Sequence, residues 1–367
     1  MKSFRTGLAR PLMAGALCAL TLAQPAHAGS IVLGGYPDQI QFIDDASGKV
    51  TDLVKLDTGL PDNIQLSTDH KKIYVTTLTT SGIEVLDAAT HKVLISFSLN
   101  TPTQRYRMKG GVPDPTGRYF YAIAQRFDKE VDMYRVNKPQ YLMIDLKTHE
   151  IAKAVDLDPK DKAPVWSASM AISPDGKTLY QFGEKVLVID AKTLKVVDRI
   201  DLAKPDTGNV QDASFDSTLS LLDDPGKYVS LFTAQNPYTN NKVFGIARFD
   251  LSKRTYTFDP IGPAPDQLHG LQVTPDGKDG YTVAVSSNLG NQRCEFWHFD
   301  LTTNHSVGTV PFECRRRFYF AMSADGQKLY IYGAGYDVAV YDAKTMKPLT
   351  DWELRNDITM AGLLHLP

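Results

Sequence analysis

Short apolar runs with alternating polar positions recur along the chain, each closed by an aspartate and a turn. The clearest copies are Ser173-Pro174-Asp175-Gly176-Lys177-Thr178-Leu179-Tyr180 leading to Val186-Leu187-Val188-Ile189-Asp190, and Ser323-Ala324-Asp325-Gly326-Gln327-Lys328-Leu329-Tyr330 leading to Val338-Ala339-Val340-Tyr341-Asp342. Ala-Lys-Thr follows each closing aspartate, and a further strand comes next. Several short strands repeated every ~40–50 residues make the pattern of a β-propeller blade.

The closing aspartates are seven: Asp44, Asp87, Asp145, Asp190, Asp250, Asp300 and Asp342. Each is expected to accept backbone N–H groups in the turn after it. A second ladder marks the turn between the first two strands of a blade: Thr68-Asp69-His70, Pro115-Thr116-Gly117, Pro174-Asp175-Gly176, Asp224-Pro225-Gly226, Pro275-Asp276-Gly277 and Ala324-Asp325-Gly326. It has six members, because the chain starts with Ile31-Val32-Leu33, which reads as a second strand. The missing first strand is expected from Ile358-Thr359-Met360-Ala361-Gly362-Leu363-Leu364-His365. The predicted fold is all-β: a seven-bladed propeller of four-stranded antiparallel blades, closed by the C-terminal strand so that no sheet edge is left open.

The repeat breaks in two insertions between second and third strands, around Gln125 to Arg135 and Gln235 to Asn241. These share a face with the links between blades. The links are expected at Thr101 to Lys109, Pro159 to Trp166, Ala203 to Gln211, Gly262 to His269 and Arg315 to Tyr319, and they hold Arg105, Arg107, Trp166, His269 and the run Arg315-Arg316-Arg317-Phe318-Tyr319. Loops on a rigid scaffold are the usual place for function.

Residues 1–28 read as a secretory signal peptide: Lys2, Arg5 and Arg10, an apolar stretch from Leu12 to Ala23, and Ala26-His27-Ala28 before Gly29. The stretch is shorter than the roughly 20 residues a membrane span needs, and Leu17 before Cys18 does not suit a lipoprotein site. Residues 29–367 are expected to form one propeller domain, located in the periplasm. The chain carries a net charge of −2, and more negative charge without its basic leader, which argues against nucleic acid as a partner.

In an oxidising compartment Cys294 and Cys314 are expected to form a disulfide. They flank the turn at Leu301 to His305 at equal distance from Asn304, which would place them opposite one another on paired strands. The chain holds no C-x-x-C-H, no H-E-x-x-H, no phosphate-cradling glycine loop and no G-x-S-x-G. His70, His91, His149 and His305 fall in turns and are expected to be solvated, and His298 lies within a strand. His269 falls where a ring-centre ligand would sit, but one histidine predicts no metal site. Cys294 and Trp297 point to opposite faces of a strand, so no built-in quinone is expected.

Three stretches carry a family likeness: Ser98-Leu99-Asn100-Thr101-Pro102-Thr103-Gln104-Arg105 leading into Val112-Pro113-Asp114-Pro115-Thr116-Gly117; Lys138-Pro139-Gln140-Tyr141-Leu142-Met143-Ile144-Asp145; and Phe318-Tyr319-Phe320-Ala321-Met322-Ser323-Ala324-Asp325-Gly326 through Tyr341-Asp342-Ala343-Lys344-Thr345. With them the chain resembles the β (propeller) subunits of quinohemoprotein amine dehydrogenases and, more broadly, YVTN-type and amine dehydrogenase heavy-chain propellers. The resemblance implies a subunit with no catalytic residues and no cofactor of its own. Cysteine tryptophylquinone would sit on a small partner subunit and c-type haem on a dihaem cytochrome c subunit, in a heterotrimer that deaminates primary amines oxidatively. Trp166, Tyr238, His269, Arg317, Phe318 and Tyr319 are the candidates for a partner or pocket face, since aromatic and arginine side chains anchor interfaces. Two other classes stay open: a stand-alone periplasmic binding or scaffold propeller, and a single-chain lyase or hydrolase with a polar cluster and a divalent ion around His269.

Overall fold

The computed structural model describes residues 29–161, 169–183, 185–201, 211–215, 220–221, 226–236, 238–287, 291–333 and 335–366. The expected signal peptide, Trp166 and most of the link from Ala203 to Gln211 lie outside them. The described residues form strands and no helix, arranged as seven antiparallel sheets of a β-propeller. Blade 1 takes its inner strand, Ile358–Leu366, from the C-terminus. That strand pairs with Ser30–Gly35 through Ser30↔Leu366, Ile31↔His365 and Val32↔Leu364. Each following blade runs inner to outer in chain order, as in blade 2: Pro61–Leu66, Lys72–Thr77, Gly82–Asp87 and Val93–Ser98. In blades 5 and 6 the inner strand is split into two short pieces.

The hydrophobic core lies between blades rather than within them. Side chains alternate across each sheet, so Ile31 and Leu33 pack against Tyr330, Val338 and Trp352 of blade 7, while Val32 packs against Ile73 and Val75 of blade 2. Seven such clusters occur, one at each junction.

The aspartate ladder does the local work its pattern predicts. Asp190 Oδ1 accepts the Thr193 N–H at 2.7 Å and its hydroxyl at 2.6 Å, and Asp342 does the same with Thr345 at 2.7 and 2.6 Å. Turn bonds of this kind hold the ladder carboxyls below the usual range, Asp250 and Asp300 at about 2, and at Asp145 the Arg118 guanidinium is the leading cause.

A further regularity links the blades. The residue four places after each ladder aspartate is Gly48, His91, His149, Leu194, Arg254, Asn304 or Met346, and all seven have φ between 54° and 69°. This left-handed turn presents the residue to the preceding blade. His91 stacks on Phe42 at 3.5 Å and His149 on Phe97 at 4.6 Å. Leu194 and Met346 enter the apolar junctions, and Asn304 accepts a bond from Arg248 at 2.7 Å. His91 is therefore a half-buried inter-blade plug rather than the solvated turn residue expected from its position, whereas His149 stays exposed, as expected, with its ring stacked on Phe97. The Asp-Gly turns interlock as well: a Cβ on Gly226 would lie 2.9 Å from Pro174 Cγ, and one on Gly326 would lie 2.9 Å from Pro275 Cδ.

Two expectations about boundaries change. Arg105 and Arg107 are not in a link but within the inner strand of blade 3, Gln104–Pro113, because the insertion lengthens the whole sheet. Cys294 and Cys314 are joined, with Cα atoms 5.2 Å apart, but they are not opposed. Asp300 pairs with His305, so the hairpin is centred before Asn304, and even with the one-residue bulge between His298 and Phe299 Cys294 faces Phe312. The disulfide thus ties the third strand of blade 6 to the link that enters blade 7.

Candidate functional site

Antiparallel blades divide the ring into two faces. One carries the aspartate and Asp-Gly turns; the other carries the connections between second and third strands and the links between blades. Exposed large apolar side chains divide the same way. Leu53, Val93, Leu94, Val197, Tyr256, Val307 and Leu349 lie on outer strands, at the rim. Tyr36, Leu78, Val131, Met133, Tyr134, Val136, Tyr238 and Tyr336 lie at or beside the second-to-third-strand connections of blades 1, 2, 3, 5 and 7. Met360 lies on the inner strand of blade 1, and Tyr256 borders the turn side. The loop face is the candidate interaction surface.

The insertions become long hairpins on this face. In blade 3 the strands Tyr119–Lys129 and Tyr134–Asp145 meet at a turn in which Glu130 N donates to Met133 O at 2.8 Å. In blade 5, Lys227–Gln235 and Lys242–Asp250 end in a loop where Tyr238 is 80% exposed.

The link into blade 7 has mixed character. Arg315 pairs with Asp337, and Arg316 and Arg317 are exposed. Phe318 is only 7% exposed and packs among Phe296, Phe320 and Ile331, so it supports this face from beneath. Tyr319 is half-buried at the start of the inner strand Tyr319–Met322 and lies 6.0 Å from Tyr332.

His269 occupies the break in the inner strand of blade 6, between Gln267–Leu268 and Gln272–Val273. Its N–H donates to Val283 O at 2.9 Å, and its carbonyl accepts from the Thr282 hydroxyl at 2.5 Å. The ring stacks on Phe318 at 4.3 Å, and burial lowers its pKa to about 4, so it is neutral near pH 7. Among the described residues no group of three or more His, Cys, Asp or Glu is placed to hold a metal. Cys294 is committed to its disulfide, and Trp297 Nε1 donates to Glu295 at 3.1 Å. These two residues do not fit a quinone cross-link.

A cavity of about 310 Å³ lies between blades 5 and 6 on the turn side, lined in part by Tyr228, Arg248, Asp250 and Tyr256. The Arg248 guanidinium there bridges Asp259 at 3.1 Å, Leu301 O at 2.6 Å and Asn304 at 2.7 Å. It joins blades and leaves the cavity without an uncommitted charge on that side chain.

The structure thus brings Arg317, Phe318, Tyr319 and His269 to one junction, and puts Tyr238 on a separate hairpin of the same face. Sequence reasoning missed Tyr36, Leu78 and Tyr336. A signal existed for two of them: Gly34-Gly35-Tyr36 and Gly333-Ala334-Gly335-Tyr336 each put glycine before tyrosine where a second strand ends.

No protein-family model matches the chain, and no curated protein does. Solved structures do. Hydrazine synthase of Kuenenia stuttgartiensis is similar at 18% identity and a TM-score of 0.51, covering 79% of each chain. The dihydro-haem d1 dehydrogenase NirN is similar at 10% identity and a TM-score of 0.53, covering 92% of this chain and 75% of that one. Apo AztD from Citrobacter koseri is similar at 12% identity and a TM-score of 0.54, covering 92% and 98%. At these identities the likeness shows the fold, a seven-bladed β-propeller.

Proposed function

We propose that this chain is the non-catalytic propeller subunit of a periplasmic, quinone-dependent amine dehydrogenase complex. Its partners would be a small subunit bearing cysteine tryptophylquinone and a cytochrome subunit bearing c-type haem. The observation that carries the proposal is the set of exposed side chains on the loop face, Tyr36, Val131, Met133, Tyr134, Tyr238 and Tyr336. Large apolar patches on a soluble scaffold mark sites of association, and tyrosine and arginine are the usual anchors. That one similar structure is named a dehydrogenase agrees with a redox setting.

When bound, the partner groups would supply the redox chemistry. The residues of this chain would position the small subunit, exclude water at the contact and help wall its substrate pocket. Purification from the native host under mild conditions tests this. A haem-staining chain and a small quinone-staining chain are expected to co-elute, and a monomer free of both sinks the proposal.

A second possibility is a stand-alone binding or scaffold propeller. In its favour, apo AztD is matched along almost the whole of both chains. A free monomer that nonetheless retains a ligand through native purification would favour it.

A further inference from the structure

We propose that the three-stranded arm of blade 3 is the principal anchor of this chain, and that it grips a carboxylate-rimmed apolar patch on a partner protein. The proposal shares with the preceding one only the premise that a protein partner exists.

The arm is built by extension. Its second strand, Tyr119–Lys129, has eleven residues against six in the corresponding strand of blade 1. Five further residues project it by about 17 Å at ~3.3 Å per residue. The inner strand follows it outward, with pairs Gln104↔Asp128 and Arg105↔Phe127. The third strand adds Tyr134↔Lys129, Arg135↔Asp128 and Val136↔Phe127.

Directly paired residues share a face of the sheet. Arg105, Phe127 and Val136 therefore form one row, and Lys129 and Tyr134 form the next on the same side. The opposite side carries Gln104, Asp128, Arg135 and Arg126. There the acids are spent: Asp128 is paired with Arg126 at 3.1 Å and bonded by Asn137 at 2.9 Å, and Glu130 is paired with Arg135. Arg105 and Lys129 are exposed, and among the described residues no acid pairs with them. The front of the arm is an apolar and aromatic stripe beside uncompensated cations. At its end Val131 is 105% exposed, followed by Met133 and Tyr134.

In a chain of net charge −2, this local excess of positive charge specifies what it meets. Charge complementarity steers association and rejects wrong partners. The occupant should present apolar surface to Val136 and Tyr134, and carboxylates to Arg105 and Lys129. An anionic bilayer fits less well, because exposed Asp132 stands between Val131 and Met133 and insertion would bury its carboxylate.

The test places a photo-crosslinking phenylalanine analogue at Val131, Val136 or Tyr238 in the full-length chain in its native host. Positions 131 and 136 are expected to give one protein adduct whose linked peptide lies among Asp and Glu residues. The variant Arg105→Glu/Lys129→Glu should cut its yield about tenfold while leaving the melting temperature unchanged, since both side chains are exposed. No arm adduct, an adduct indifferent to the charge reversal, or co-flotation with phosphatidylglycerol vesicles would overturn the proposal. Haem and quinone staining of the adduct separates the two proposals: a charge-dependent adduct without either group supports the arm and counts against the amine dehydrogenase complex. A co-purifying haem chain that leaves the arm unlinked does the reverse.

Discussion

The main chain of Gly48 lies flat against the indole of Trp352: a Cβ at position 48 would come within 2.2 Å of Trp352 Cγ. The other six blades carry a side chain at this turn position, and blade 1 has a glycine there. The reason is local to the ring closure, where Trp352 of the last blade already fills the junction. Gly48→Ala adds a clash to a left-handed φ of 69°, and is expected to cost about 2–4 kcal/mol. In the background Trp352→Ala the same change should cost much less. Chemical denaturation of the four proteins of this cycle measures the coupling.

The closing strand holds the first blade to the last, and side chains reinforce it. Tyr330 donates to Asp45, and Lys328 Nζ reaches the same carboxylate at 3.1 Å. Tyr330→Phe leaves Asp45 with one fewer donor, for an expected loss of about 1–3 kcal/mol. Truncation after Asp357 removes the inner strand of blade 1 and exposes a sheet edge. That protein is expected to lose its cooperative melting transition and to aggregate. A truncated chain that melts like the intact one would disprove closure by this strand.

Acid should weaken the ring in two stages. Burial lowers His269 from 6.5 to about 4, and burial likewise lowers His365 against the opposing charge of Asp45. A histidine with a folded pKa below its unfolded value contributes fully above pH 6.5, and that contribution falls as pH drops toward about 4. The aspartate caps follow a lower window: Asp250 and Asp300, at about 2 against 3.8, keep their contribution above pH 3.8 and lose it toward pH 2. His269→Phe, which retains a ring against Phe318, should shrink the upper stage to the share of His365 and leave the lower one. Melting temperature followed from pH 7 to pH 3 checks both.

Reduction of the Cys294–Cys314 bond opens a loop with a sequence separation of 20. On the chain-entropy account this costs about 3 kcal/mol. Paired alanine substitutions should lower stability by a similar amount, and reductant should then have no further effect. Equilibrium unfolding with and without dithiothreitol reads both.

Much of the architecture was legible because its causes are local. An aspartate that caps its own turn and a glycine in an Asp-Gly turn involve residues a few positions apart. Their recurrence counted the blades, and the absence of a turn before Ile31 pointed to the C-terminal strand. The site was less legible, because exposure depends on what a neighbouring blade covers. Phe318 looks like an interface aromatic in sequence and is buried against His269. His91 looks solvated and is a half-buried plug. Arg105 looks like a link residue and lies in the arm.

The sequence by itself determined the repeat, the number of blades, their polarity and the cysteine pairing, because hydrogen bonds between near neighbours and strand alternation are written in adjacent residues. Only the tertiary structure decided which tyrosines and cations stand on the loop face, how the Cys294 strand is registered, and that Gly48 must yield to Trp352. Those outcomes arise where separate blades meet, between residues hundreds of positions apart in one case, and no local pattern encodes what lies across a junction.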